Sequence, residues 1–210
     1  MTVVLSTACV HAPASTPEPV QSVTIHHVNP VNIKRVGNDM PPGYEVSNVS
    51  GVAAPPAIWG LGSNWTADPS HCGALADPGG GHGESAQGVS GSGNGGIIYA
   101  VVAAAPARLD PVLVIDCPRW MMTNGIATAR AHLIAPPQVE GVETLGMATE
   151  TTTQVEGGNE IVSQATTFTA YLGSYIAFTT LVTDPGSAQP PLLPQAAADL
   201  LVKTVTELRR

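Results

Sequence analysis

The chain has 210 residues, eight Lys and Arg against sixteen Asp and Glu, a formal net charge of −8, and only 11% charged residues. Its largest basic clusters are the pairs Lys34-Arg35 and Arg209-Arg210, so it lacks the clustered positive field that a nucleic-acid surface needs. No apolar run approaches the roughly 20 residues of a membrane-spanning helix, and the length suits one domain with one core. With few Phe, Trp and Tyr, that core must come mainly from Ala, Val, Leu and Ile.

The first stretch, MTVVLSTACVHAPAST, sets a short apolar run and the small residues Ser6, Thr7 and Ala8 directly before Cys9. An export signal pairs an apolar core with small residues before its cut, and this arrangement resembles the lipobox of bacterial exported lipoproteins. Two departures stand out: Ser6 occupies the place of the usual aliphatic residue, and no Lys or Arg precedes Cys9. Residues 1–8 are therefore read as a truncated signal remnant and Cys9 as the lipid-attachment site, against the alternative of an ordinary first strand. Residues 9–28, rich in Pro, Ser and Thr and without periodicity, have the composition of a tether. A lipid on Cys9 would make the membrane a partner and place the domain outside the cytoplasm.

The folded domain is expected over 29–210. Asn29-Pro30 supplies a helix cap and a first-turn proline before VNIKRVGN, with Gly37 as the stop. Residues Tyr44 to Val52 read as an extended segment kept at an edge or in a loop by flanking prolines. Asp68-Pro69 and Asp110-Pro111 repeat the cap-and-proline pattern ahead of Cys72 and Cys117, which predicts short helices over about Asp68 to Ala76 and from Asp110 to the Pro118 stop, although the Val-Ile content of the second also suits a strand. Between Asp77 and Gly96 lies a glycine-dense stretch read as a surface loop. Its GSGNGG formally matches a dinucleotide fingerprint, but the strand-before, helix-after context is missing, because the apolar run Gly96 to Ala104 that follows reads as a central strand.

The second half is strongly β. RWMMT and IATARAHLIA flank Asn124-Gly125, a hairpin signal. TLGMATETTTQV alternates Leu145, Met147, Thr149, Thr151, Thr153 and Val155 on one face with Gly146, Glu150, Thr152 and Gln154 on the other, EGGN turns, EIVSQATTFTAY returns, and YIAFTTLVT follows Leu172-Gly173-Ser174. After a proline-rich connector, Pro194 opens an amphipathic helix with Ala197, Leu201, Val205 and Leu208 on one stripe, and Arg209 and Arg210 lie where the helix dipole favours cations. The expected fold is α+β: an antiparallel sheet of five to seven strands with helices mainly on one face.

If Cys9 carries lipid, Cys72 and Cys117 remain, and an exported chain can pair them in a disulfide. Two buried free thiols are the alternative. A zinc site at His71 and Cys72 lacks a C-x-x-C pair or a second Cys-His cluster. No catalytic motif stands out either: Gly88-Val89-Ser90-Gly91 is followed by Ser92 rather than completing G-x-S-x-G, and His11, His26, His27, His71, His82 and His132 have no sequence-local acid or serine partner. No cofactor is implied.

The runs PPGYEV, IWGLG, NWTADPSHCGALADP, VSGSGNGGIIYAVVA, TLGMATETTTQVEGG, TFTAYLGSYIAFTTLVTDPG and LLVKTVTEL resemble a mycobacterial family of exported lipoproteins with a domain of unknown function. More distantly they are similar to the extracellular sensor domain of mycobacterial membrane serine/threonine kinases. The resemblance spans about residues 29 to 210 and implies an envelope location, an α+β fold with a shallow cleft and a Cys72–Cys117 bridge. It brings no ligand and no catalytic residue. The resulting expectation is a non-catalytic, lipid-anchored, sensor-like module that binds an envelope ligand or protein and no nucleic acid. Trp59, Trp65, His82 and Trp120 are its candidate contact residues, although a core or disulfide-covering role is the commoner fate of each Trp. The alternatives are a carrier of apolar envelope molecules, which requires an internal cavity, and an uncharacterised hydrolase.

Overall fold

The long alternating segments of the second half pair with their neighbours in sequence order, as strands joined by short turns do. In the computed structural model, which describes residues 27–52, 54–81 and 85–210, they form the middle of one antiparallel sheet. Residues 1–8, expected as a signal remnant, Cys9, nearly all of the expected tether 9–28, and His82 lie outside the described residues. The strands are β1 (Glu45–Ser50), β2 (Thr66–Asp68), β3 (Gln87–Gly93), β4 (Gly96–Ala104), β5 (Arg119–Thr123), β6 (Ala127–Ile134), β7 (Glu143–Gln154), β8 (Glu160–Tyr171) and β9 (Tyr175–Thr183). Their order across the sheet is β1-β3-β4-β9-β8-β7-β6-β5-β2.

The β7–β8 hairpin is the longest ladder, running from Glu143 opposite Tyr171 to Gln154 opposite Glu160. Its turn closes with the Val155 amide donating to the Asn159 carbonyl at 2.9 Å, and Gly157 and Gly158 supply φ values of 86° and 79° that residues with a Cβ rarely adopt. Of the predicted face, Leu145, Met147, Thr149 and Thr151 are buried, while Thr153 is half-buried and Val155, past the end of β7, is exposed.

Both faces of the sheet carry a core. On one, Ile98, Ala100, Val102, Phe168, Ala177 and Leu181 meet the 3-10 helix Pro30–Asp39 (η1) and the C-terminal helix α4 (Pro194–Leu208). Asn29 caps η1 by accepting from the Val31 amide at 3.2 Å, and η1 runs past Gly37 to Asp39. The α4 stripe Ala197, Leu201, Val205 and Leu208 is fully or almost fully buried here. Each such leucine or valine contributes about 1.5–3 kcal/mol of transfer free energy. On the other face, Val101, Ala103, Trp120, Met122, Met147, Ile176 and Phe178 lie under short elements: α1 (Pro55–Ile58), the 3-10 helix Ser70–Cys72 (η2), α2 (Gly73–Ala76) and α3 (Pro111–Asp116).

The expected α+β fold of five to seven strands is thus corrected to a mostly β fold, one sheet of nine strands, with helical segments on both faces instead of mainly one. Two strands escaped the sequence reading. The first, β2, is only three residues long and takes its shape from pairing with β5; Asp68 lies opposite Met121, so it is a strand residue and not the cap of the cysteine helix. By contrast Asp110 does cap α3, accepting from the Val112 amide at 2.8 Å.

The second, β3, runs through the stretch expected to be a glycine loop. Its glycines serve packing: a Cβ on Gly93 would lie 2.5 Å from the Tyr44 ring, and one on Gly91 3.1 Å from the Met40 sulfur. Tyr44 lies across this part of the strand and its hydroxyl accepts from the Gly95 amide at 3.1 Å.

Candidate binding face on the open half of the sheet

The η1 and α4 layer rests on β3, β4, β9 and the end of β8. On that same face the residues of β2, β5, β6, β7 and the start of β8 are exposed or half-buried, Gly146 beside Phe168 excepted. Antiparallel register makes them rows. Asp68, Met121, Arg130, Glu150 and Gln164 form one row across five strands, with Arg119, His132, Ala148 and Thr166 beside it. Within these rows Asp68, Arg119, Met121, Arg130, His132, Glu150 and Gln164 are exposed.

A recess of about 700 Å³ opens on this face between Asp68, Arg119, Trp120, Met121, Arg130, Ala131 and His132. Two smaller recesses of about 260 and 130 Å³ adjoin it, one sharing Arg130 and the other sharing Asp68 and Met121. The ion pairs among the described residues are Lys203–Asp39 at 3.2 Å and Arg210–Glu207 at 2.7 Å, so Arg119 and Arg130 are both unpaired. Glu150 faces Arg130 directly across the strands and still makes no ion pair with it.

The hairpin that carries these residues is set by Asn124. Its side chain accepts from the Ile126 and Ala127 amides at 2.9 and 2.7 Å and donates to the Leu61 carbonyl at 3.0 Å. The turn is therefore wider than Asn124-Gly125 alone, and Thr123 lies opposite Thr128. A two-residue turn would have set Thr123 opposite Ile126 and Arg119 opposite Arg130; the observed register sets Arg119 opposite His132 and Met121 opposite Arg130.

The indoles fall elsewhere. Trp59 is 2% exposed; its Nε1 donates to the Thr167 hydroxyl at 3.1 Å, which is 3.0 Å from that of Thr180. Trp120 is 3% exposed, packed in the covered core, and its Nε1 has no hydrogen-bond partner among the described residues. Trp65 is half-buried against Ala67 and Gly73, whose added Cβ would come within 2.9 Å of the ring. These three side chains cover the inner face, and Trp120 alone also borders the large recess.

Cys72 and Cys117 form a disulfide with an S–S distance of 2.04 Å and Cα atoms 5.6 Å apart, tying the end of η2 to the end of α3 over this inner face. His71 adjoins both sulfurs, but a disulfide sulfur is not the thiolate that zinc binding uses. Among the described histidines, His27, His71 and His132, none hydrogen-bonds to a serine or an acid. Away from the open face, burial and then the facing Glu143 carboxylate push the Tyr171 hydroxyl well above its ordinary pKa of 10.0, and burial raises Tyr99.

A family profile described as Domain of unknown function (DUF5642) matches residues 29–209. The chain belongs to this family. The matched span starts at the Asn29 cap and ends just past α4, so the DUF5642 domain takes in the whole nine-stranded sheet and both its layers. A crystal structure of an uncharacterised protein from Mycobacterium smegmatis, an ortholog of Rv0999, superposes with a TM-score of 0.63 over 90% of this chain and 100% of its own. At 15% identity that likeness is one of fold alone. No curated protein matches the chain.

Proposed function

We propose that this DUF5642 chain is a non-catalytic, lipid-anchored binding module of the mycobacterial cell envelope, sensor-like in the manner of the kinase extracellular domains it resembles. Cys9 carries the anchor, and the open half of the sheet is the recognition surface. The observation that carries the reading is the 700 Å³ recess on that half, with two unpaired arginines in a chain of net charge −8. Ligand sites are concave surfaces with a few placed polar groups, and this recess has that form. The buried disulfide supports an oxidising compartment. A carrier of apolar molecules calls for an enclosed cavity, whereas this recess opens on the sheet face.

The test is native mass spectrometry of the protein expressed in mycobacteria and purified from their membranes without reductant. The expected spectrum shows acyl mass on Cys9, two hydrogens missing at Cys72 and Cys117, and a retained small molecule. An unacylated, fully reduced chain recovered from the cytosol would refute the reading.

A further inference from the structure

We propose that the groove on β5 and β6 takes a phosphate-bearing amphiphile, its head held between the guanidinium groups of Arg119 and Arg130 and its apolar body laid along Met121. This deepens the binding-module reading and rests on it.

The hairpin register places four side chains at the corners of a square: Arg119 and Met121 on β5, His132 and Arg130 opposite them on β6. Direct partners on one face lie about 5 Å apart at Cβ and diagonal ones roughly 7–8 Å, so the two arginines are diagonal neighbours. Like charges directly opposite one another are destabilising; this register avoids that and still brings both cations to one recess. The groove lining holds one carboxylate, Asp68, on the far side of Met121, and Glu150 stands opposite Arg130 on the next strand; neither forms an ion pair with a guanidinium. Two of the eight basic residues of an acidic chain thus share one recess with a histidine, with no direct ion pair to either.

The donor chemistry favours one anion. A single guanidinium fork satisfies a carboxylate, while two guanidinium groups lining one recess together match the three terminal oxygens of a phosphate monoester. Size argues that more than a phosphate is held. At about 700 Å³ the groove falls in the range of roughly 300–1,000 Å³ that accommodates drug-sized ligands, and its lining is mostly apolar. Met121, 46% exposed at the fourth corner, offers an adaptable thioether surface to an alkyl chain.

The test is titration calorimetry with dihexanoyl phosphatidic acid below its micelle concentration, dihexanoyl phosphatidylcholine and inorganic phosphate. The proteins are the wild type, Arg119→Gln, Arg130→Gln and, as a control on an exposed arginine elsewhere, Arg108→Gln. Phosphatidic acid is expected to bind at least tenfold more tightly than either phosphatidylcholine or inorganic phosphate. Each groove variant should weaken it at least tenfold with unchanged circular dichroism, while Arg108→Gln matches the wild type. Equal binding of the two lipids, or groove variants indistinguishable from the control, overturns the anion's role. Phosphate as tight as phosphatidic acid overturns the amphiphile, and so does the absence of heat with every probe. If these fail while native mass spectrometry still finds a retained envelope molecule, the ligand class falls and the binding-module reading stands.

Discussion

Replacing both Cys72 and Cys117 by alanine removes the one covalent tie over the inner face, and the structure sets the size of the loss. The bridge spans 45 residues of sequence. Closing a loop of that length lowers the entropy of the unfolded chain by an amount worth about 4 kcal/mol at 25 °C. For a domain of this size each kcal/mol moves the thermal midpoint by about 2–4 °C, so the variant should melt roughly 10 °C lower. Because the effect acts on the unfolded ensemble, the dependence of stability on urea should steepen as the freed chain expands. Urea unfolding followed by fluorescence of the buried Trp59 and Trp120 reads both quantities. A loss under about 1 kcal/mol with an unchanged slope would refute the loop-entropy argument and show the bridge to be incidental to an already rigid cover.

Gly93→Ala should cost about 1–3 kcal/mol, since its Cβ would lie 2.5 Å from Tyr44 and the ring must shift off the Gly95 amide; the penalty should shrink when Tyr44→Ala is added, a double-mutant cycle in urea being the check. Leu201→Ala, at a site with no solvent exposure between α4 and the sheet, should cost about 2–5 kcal/mol by the same assay. Tyr171 has a folded pKa raised above its unfolded value, so the native state keeps a proton that the unfolded chain releases. Its contribution is whole below pH 10 and declines as pH rises beyond it. Alkaline melting should therefore be blunted in Tyr171→Phe, and a wild-type tyrosinate absorbance from Tyr171 that appears before unfolding would contradict its burial.

What the sequence revealed follows from which forces are local. Long strands such as β7 and β8 announce themselves because half of each strand is buried with period two, and the Leu145 to Thr151 alternation needs no knowledge of the partner. β3 stayed hidden because its side chains were deleted to make room: Gly91 and Gly93 yield space to Met40 and Tyr44, residues about fifty positions earlier, and glycine read alone means a loop. β2 is a strand only because β5 lies beside it. The indoles of Trp59 and Trp120 look like loop and strand-end contacts in the sequence. They are buried because α1, α2 and α3 fold over the inner face. The candidate face was half legible. Alternation puts Arg119 and Met121 on one side of β5, and Arg130 and His132 on one side of β6. Their register depends on Asn124 bridging to the Leu61 carbonyl, a contact between distant segments.

The open half also has a geometric cause. Nine strands at about 4.8 Å spacing span roughly 38 Å, while two helices side by side, each about 10 Å wide, cover roughly 20 Å. η1 and α4 therefore account for β3, β4, β9 and the end of β8 and leave β7, β6, β5 and β2 bare on that side. The residues on the bare side are consistent with staying bare: Arg130, Glu150 and Gln164 stand where Ile98, Ala100 and Leu181 stand under the helices. An apolar partner helix would bury those charges without compensation, at a cost its contacts could not offset. Whatever covers this half must satisfy Arg119, Arg130 and Glu150 with polar or charged groups, and that requirement favours a polar-headed ligand over a third, apolar helix layer.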